Sequence, residues 1–120
     1  MANPFVHVEL NSTHPEKSKA FYTGLFDWKL DEVTMPVGSY TLINVGKGTG
    51  GGMMKQMIPG AASSWLAYVG VDDIHVATEK ARKLGATGVR EVLEVGDAGW
   101  LSIIVDPTGA MLGMWQAKPR

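Results

Sequence analysis

The clearest structural signal in this chain is Asp106-Pro107-Thr108-Gly109-Ala110-Met111-Leu112-Gly113-Met114. Asp, Pro and Gly stand at the first, second and fourth positions of a tight turn, where Asp accepts hydrogen bonds from backbone amides, Pro presets φ and Gly eases the exit. The runs on either side, 100–105 and 110–116, are rich in β-branched, aromatic and apolar residues. The pattern predicts a hairpin of two antiparallel strands.

This hairpin belongs to a repeat. A shift of 59 residues, applied without a gap, aligns similar residues along the chain: Thr108-Gly109 with Thr49-Gly50, Leu101 with Leu42, Val92 with Val33, and Leu84 with Leu25. Each match is weak alone, but one shift accounts for all of them. We therefore interpret the protein as two copies of one unit.

The first copy has the pattern β-α-β-β-β. Alternation of apolar and polar residues predicts a strand over 5–10, and Pro15 marks the first turn of a helix. The buried stripe of that helix is expected to consist of Ala20, Phe21, Leu25 and, less regularly, Tyr22. Further strands are predicted over 28–34, 39–45 and 53–57, with Pro36-Val37-Gly38 as a turn.

The second copy repeats this order, with a strand predicted over 65–71 and a helix capped by Asp72-Asp73 and ended by Gly85. The helix stripe is expected to contain Val76, Ala77, Ala81 and Leu84, and strands follow over 89–95, 100–105 and 110–116. We predict a first module over 1–57, a linker of small and turn-forming residues over 58–64, and a second module over 65–120. The two modules together have the length of one compact domain.

Composition narrows the classes of function. The formal net charge is −1, 45% of residues are hydrophobic and 19% are charged, and the basic residues are scattered, which argues against nucleic-acid binding. The absence of cysteine excludes disulfides, thiolate metal sites and a cysteine nucleophile. No apolar run approaches membrane length, and the N-terminus lacks the pattern of a signal peptide. We expect a cytoplasmic protein without a membrane partner.

Two polar residues, His7 and Glu9, share one face of the first predicted strand. They are the candidate catalytic residues, as an acid–base or ligand pair in a cavity. The alternative is a strand face whose polar groups meet solvent or a second chain. Both interpretations stay open on the sequence.

Aromatic residues and methionines offer a binding surface. Tyr68 lies 59 residues after Glu9 and should share the corresponding face, and Trp65, Trp100 and Trp115 are the further aromatic candidates in the predicted strands. These rings either line an apolar pocket and stack on a flat ligand or pack in the core. Met54 and Met114, in the closing strands, are adaptable fillers of a core or of a pocket.

Three motifs in this order resemble the vicinal oxygen chelate superfamily, which includes glyoxalase, extradiol dioxygenases, and fosfomycin- and bleomycin-resistance proteins. They are Phe21-Tyr22-Thr23-Gly24-Leu25-Phe26-Asp27-Trp28, similar to the family's Phe-Tyr-x-x-x-Phe-Gly-Trp helix exit, Val71-Asp72-Asp73 at the second helix, and the Asp-Pro-Thr-Gly turn. The resemblance implies an α+β fold of two paired β-α-β-β-β modules. Each would curl into a half barrel with its helix outside, and many members are dimers.

The resemblance also implies a divalent metal held by four side chains, from the first and last strands of each module. Here the first position is His7, its second-module equivalent is Leu66, and the last-strand positions are Gly113 and, by the 59-residue shift, Met54. His7 is thus the one family-position ligand present, and a single imidazole binds a metal weakly. We expect no cofactor, and at most a weakly held divalent metal.

Two hypotheses about function follow. The first is a metal-independent protein that binds a small, partly apolar molecule in a concave pocket and is expected to form a homodimer. The ligand-binding residues would be Tyr68, Trp65, Met54, Leu66, Trp100 and Met114. The second is a metal-dependent lyase or dioxygenase that uses His7 and Glu9 and takes further ligands from a partner chain.

Overall fold

The computed structural model describes residues 2–35 and 38–119, and it has the β-α-β-β-β order twice. The elements are β1 (Phe5–Ser12), α1 (Pro15–Leu25), β2 (Lys29–Met35), β3 (Gly38–Asn44), β4 (Gly51–Lys55), β5 (Ser64–Gly70), α2 (Ile74–Lys83), β6 (Thr87–Val95), β7 (Gly99–Val105) and β8 (Met111–Ala117). The predicted α+β class is confirmed. Of the turn predicted after β2, Pro36 and Val37 lie outside the described residues.

The chain divides into two compact units. The first unit is residues 7–66, with strand order β2-β3-β4-β1. The second unit is the chain from Ala67 onward together with the N-terminal stretch up to Val6, with strand order β6-β7-β8-β5. In each unit the first and last strands of the module are parallel and the remaining pairs are antiparallel.

The N-terminal stretch is tied to β5 of the second unit. The Gly70 amide donates to the Pro4 carbonyl at 2.8 Å, and the Asn3 side-chain amide donates to the Gly70 carbonyl at 2.9 Å. The stretch predicted as a linker is irregular from Ile58 to Ser63, and Ser64 already belongs to β5. None of the helices in the described part of the chain is long and apolar enough to cross a membrane.

The Asp106 turn joins β7 to β8 as predicted. The Asp106 carboxylate accepts from the Thr108 amide at 2.8 Å, the Thr108 hydroxyl at 2.7 Å and the Ala110 amide at 3.1 Å. These bonds, led by that of the Thr108 hydroxyl, hold the pKa of Asp106 below its usual value. Gly109 has φ +99°, a conformation that glycine adopts without strain. The hairpin begins at the pair Val105 and Met111.

The core of the first unit corrects the predicted face of α1. Leu10, Ile43 and Met53 form its buried centre, and Tyr22 is the α1 residue that packs against them. Phe21 is 61% exposed, and Ala20 and Leu25 are also exposed.

The helix also makes polar contacts with the sheet on the side of Tyr22. The Ser18 hydroxyl bonds to the Ser12 hydroxyl at 2.7 Å, and Lys19 forms an ion pair with Glu32 of β2 at 3.1 Å. Ser18, Lys19 and Tyr22 lie on one helical face at spacings of one, three and four residues. The predicted stripe was therefore right at Tyr22 and wrong at Ala20, Phe21 and Leu25.

The core of the second unit is centred on Ile74, Ile104 and Met114, and Ala77 and Ala81 pack against it as predicted. Asp73 caps α2 by accepting from the amides of His75 and Val76, each at 3.1 Å. The predicted stripe was wrong at its two ends, because Val76 and Leu84 are exposed. Ile74 and Thr78 take the buried positions, and the Thr78 hydroxyl donates to the Ile74 carbonyl at 2.6 Å and bonds to Ser102 at 2.9 Å.

Candidate functional site

A chain of three polar side chains crosses one face of the first unit's sheet. His7 and Glu9 project from β1 on the face opposite to that of Leu10, as alternation predicts. The Tyr40 hydroxyl lies between them, 2.7 Å from His7 Nε2 and 2.9 Å from Glu9 Oε2. Glu9 is the buried end, at 6% exposure, whereas His7 and Tyr40 are half-buried. We call this arrangement the His7–Tyr40–Glu9 chain.

With Glu9 ionised, the hydrogen bonds imply one tautomer of His7. A carboxylate only accepts, so the Tyr40 hydroxyl donates to Glu9. The Tyr40 oxygen then accepts from Nε2–H of His7. Burial lowers the pKa of His7, because a charged imidazolium loses hydration there, so the ring is neutral near pH 7. The chain is therefore an ordered sequence of donors that ends on a buried acid.

The His7–Tyr40–Glu9 chain depends on the absence of a side chain at Gly52. Strand β4 lies between β3, which carries Tyr40, and β1, which carries Glu9. Gly52 pairs directly with Glu9, and a Cβ at Gly52 would overlap the ring and hydroxyl of Tyr40. Any side chain at this position would displace Tyr40 from between His7 and Glu9.

The second unit has the same arrangement of a glycine under a tyrosine ring. Tyr68 of β5 pairs with Gly113 of β8, and a Cβ at Gly113 would overlap the Tyr68 ring. Tyr68 is 3% exposed. The space that a side chain at Gly113 would occupy is filled by the ring.

The strand registers also correct the repeat alignment. Glu9 corresponds to Tyr68 at a shift of 59, and their pairing partners are Gly52 and Gly113, at a shift of 61. The gap-free alignment matched Gly113 with Met54 and was wrong by two residues. The equivalent strands β3 and β7 begin at residues 38 and 99, so the shift between the copies is already 61 residues there instead of 59. Both last-strand positions are thus glycines, and Met54 pairs with Asn11.

The residues present do not fit the metal site that the resemblance implies. Of the four positions, His7 carries a donor, Leu66 is buried and apolar, and Gly52 and Gly113 are covered by tyrosine rings. Within residues 2–35 and 38–119 there is no group of three or more His, Cys, Asp or Glu side chains that could hold a metal ion. A tight divalent site needs several such ligands.

A separate apolar cavity lies on the other, helix-covered face of the first unit's sheet. Its volume is about 310 Å³, and its lining consists of Val8, Trp28, Ile43, Val45, Thr49, Gly50, Gly51 and Trp65. The Trp28 and Trp65 rings stand nearly perpendicular, at 80°, with centroids 6.3 Å apart. Trp65 is the predicted ligand-binding residue that lines this cavity, and it is 42% exposed.

The other predicted ligand-binding residues lie elsewhere in their units. Leu66, Tyr68 and Met114 are buried, and Met54 is half-buried on the face of Gly52. Trp100 packs against the second unit's core, with Lys118 Nζ 5.1 Å from its ring centroid. Their contact with a ligand stays a prediction.

Two site residues escaped the sequence analysis. Tyr40 and Leu42 lie on the same face of β3. Nothing local in the sequence shows that the missing side chain at Gly52 lets the Tyr40 hydroxyl reach Glu9. Trp28 was visible as the last residue of the helix-exit motif. Its place beside Trp65 depends on Tyr22, whose ring lies 5.5 Å from both indoles.

Comparison with known proteins gives a consistent family. A model described as Glyoxalase/Bleomycin resistance protein/Dioxygenase superfamily matches residues 5–114. "Putative glyoxylase CFP32" of Mycobacterium bovis is 35% identical over 117 residues, covering 92% of this chain and 44% of that protein. "Anthracycline biosynthesis protein DnrV" of Streptomyces peucetius is 24% identical over 123 residues, covering 90% of this chain and 45% of that protein. The chain thus spans less than half the length of these relatives.

Solved structures show the same fold. A hypothetical protein from Bacillus halodurans C-125 superposes with a TM-score of 0.74 at 13% identity, covering 100% of this chain and 98% of the other. Methylmalonyl-CoA epimerase from Mycobacterium tuberculosis superposes with a TM-score of 0.71 at 14% identity, covering 96% and 88%. At these identities the likeness concerns the fold alone.

The tyrosine-covered glycines give a stability prediction. Gly52→Ala and Gly113→Ala should each lower the free energy of unfolding by about 1–3 kcal/mol, because the new methyl group overpacks against a ring. The matched control is Gly24→Ala in α1, where a Cβ meets nothing within 4 Å. It should raise the free energy of unfolding by about 0.5–1 kcal/mol. Urea denaturation followed by circular dichroism measures all three, and wild-type stability in Gly52→Ala would contradict the packing described.

The lowered pKa of His7 predicts a pH dependence of stability. The unfolded chain takes up this proton near pH 6.5, whereas the folded protein does so at lower pH. The unfolded state therefore binds more protons in that interval, and the free energy of unfolding falls as pH is lowered through it.

The test compares denaturation of wild type and His7→Gln between pH 7.5 and 5. The variant should lose less stability over this range than wild type does. The control is His75→Gln, which removes an exposed histidine of α2 and should keep the wild-type slope. Equal slopes in wild type and His7→Gln would refute the assignment.

Proposed function

Because the chain belongs to the glyoxalase/bleomycin resistance protein/dioxygenase superfamily, we propose that it binds a small, partly apolar molecule without a metal ion. The polar atom of that molecule is held by the His7–Tyr40–Glu9 chain. The observation that carries this proposal is the pair of tyrosine rings lying over Gly52 and Gly113, where family enzymes would need ligand side chains. In this proposal the site holds its ligand by hydrogen bonds and not by a metal ion.

The exposure of the side chains in the His7–Tyr40–Glu9 chain supports a ligand that contacts His7 and Tyr40. These two side chains are half-buried, whereas Glu9 is buried. A neutral imidazole and a phenol hydroxyl suit an uncharged hydroxyl or carbonyl group, for which no ion has to be desolvated. A buried carboxylate also disfavours an anionic group close to it.

The same sheet face supports the apolar part of the ligand. Leu42 pairs with Gly52 and is exposed, and Met54 follows two residues later on the same side of β4. A flexible thioether adapts to ligands of different shape. Such a face fits a molecule with one polar end and an apolar body.

The second candidate is an enzyme of the lyase or dioxygenase type. It is favoured by the hydrogen-bonded His7–Tyr40–Glu9 chain, which resembles an acid–base relay. In the form that resembles the family, His7 and Glu9 would bind a divalent metal together with residues from a second chain. A homodimer is part of both candidates, and light scattering measures it directly.

A binding titration tests the proposed function. The probes are 4-ethylphenol and the matched hydrocarbon ethylbenzene, added to EDTA-treated protein and followed by ¹⁵N–¹H NMR. The phenol should shift the amides around His7 and bind more tightly than ethylbenzene. Tyr40→Phe should weaken its binding about threefold to tenfold, because one net hydrogen bond contributes about 0.5–1.5 kcal/mol. The control, Val45→Phe, fills the apolar cavity of the helix-covered face and should leave the affinity for the phenol on the His7 face unchanged.

Metal addition separates the two candidates in the same experiment. Zn²⁺, Ni²⁺ or Mn²⁺, added and then desalted, should not stay bound at one ion per chain and should not change the affinity for the phenol. Stoichiometric metal that is lost in His7→Ala would overturn the metal-independent function and favour the enzyme. Equal affinity of the phenol for wild type and Tyr40→Phe would remove the polar anchor from the proposal.

A further inference from the structure

We propose that the cavity beside Trp28 and Trp65 is a second binding site, for an uncharged planar aromatic molecule of one or two fused rings. It lies on the helix-covered face of the first unit, and we call it the tryptophan cavity. This inference goes beyond the proposed function and does not depend on it. Val8, which lines the cavity, stands between His7 and Glu9 on β1 and points to the opposite face.

The chemistry of the lining selects the ligand. All eight lining residues are uncharged, and apart from the Thr49 hydroxyl and the indole N–H groups their side chains are apolar. A charged ligand would lose its hydration there without gaining an ion pair. The two perpendicular indoles offer a flat ring one face-to-face and one edge-to-face contact, the arrangements that aromatic pairs prefer.

Neighbouring aromatic rings hold the Trp28 and Trp65 rings, the aromatic walls of the cavity, in place. The Trp28 ring lies 4.9 Å from that of Phe26 and 5.5 Å from that of Tyr22, and Tyr22 also meets Trp65 edge-on at 5.5 Å. Tyr22 in turn packs against the buried core of the unit. Walls that are fixed before binding reduce the entropy lost when a ligand enters.

Backbone forms the opposite rim and limits the size of the ligand. The Val8 amide donates to the Gly50 carbonyl at 3.2 Å, and a Cβ at Gly51 would overlap the Val8 carbonyl. The backbone at Gly50 and Gly51 therefore lies directly against β1 at this side of the cavity. The volume of about 310 Å³ is at the lower end of the range for small-molecule sites, about 300–1,000 Å³, which suits one or two rings.

The exposure of Trp65 is the second reason to expect an occupant. Its large apolar ring is 42% exposed at the cavity mouth, where it faces water on one side and Trp28 on the other. A flat ligand seated against the exposed side of Trp65 would cover that surface, and burial of apolar area is the main source of affinity in such sites.

The experiment uses 2-(dimethylamino)naphthalene, an uncharged fluorescent probe of two fused rings, with indole as competitor. Wild type should enhance the probe's fluorescence saturably, and indole should displace the probe. Val45→Phe, which fills the cavity without removing an aromatic wall, should weaken probe binding at least tenfold, and so should Trp65→Leu. The controls are Trp115→Phe, a tryptophan of the second unit, and Tyr40→Phe on the opposite face, and both should bind as wild type does.

A second measurement needs no variant. In protein labelled at its valine and isoleucine methyl groups, indole should shift the methyl signals of Val8, Ile43 and Val45 and leave those of the second unit unchanged. The proposal is overturned if wild type does not bind the probe, if indole shifts none of these methyl signals, or if a folded Val45→Phe binds as wild type does. Loss of binding in Tyr40→Phe would move the probe to the His7 face, which would also overturn this inference while leaving the proposed function intact.

Discussion

The packing of a tyrosine ring on a glycine is the constraint on which this structure depends. It occurs at Gly52 under Tyr40 and at Gly113 under Tyr68, in each case where the last strand of a module pairs with its first strand. A glycine in a strand interior normally weakens the strand, because it has no side chain to pack. An aromatic ring from a neighbouring strand restores that packing. The same ring also occupies the volume that a metal-ligating side chain would need.

At the first of these glycines the packing has a chemical consequence. With no side chain on β4, the Tyr40 hydroxyl reaches across that strand and joins His7 to Glu9. A residue type that could have held a metal is thus used within a chain of hydrogen bonds. Strand β1 therefore has two different faces. His7 and Glu9 on one face belong to this chain of hydrogen bonds. On the other face, Val8 lines the tryptophan cavity and Leu10 lies in the core.

Much of the fold could be predicted from the sequence because its signals are local. The Asp106 turn, the Asp73 cap and the alternation of His7 with Val8 each depend on neighbouring residues, and each appears in the structure as predicted. The faces of the helices could not be predicted equally well. Hydrophobicity favoured Phe21 for the buried face of α1, whereas the neighbouring Tyr22 packs against the core and Phe21 is exposed.

The site was less predictable because it depends on register. A repeat read without gaps paired Gly113 with Met54, whereas a two-residue difference accumulated before β3 and β7 makes Gly52 the true counterpart. Tyr40 gains its role only through that glycine. Its contact with Glu9 spans 31 residues and an intervening strand, which no local pattern indicates.

The proton NMR spectrum of the two glycines shows directly whether a tyrosine ring lies on each of them. A ring stacked on a glycine moves its α-proton signals upfield and gives nuclear Overhauser contacts to the ring protons. The account predicts both effects at Gly52 from Tyr40 and at Gly113 from Tyr68, with the Gly52 effects lost in Tyr40→Leu. Random-coil shifts of these α protons, without contacts to either ring, would contradict it.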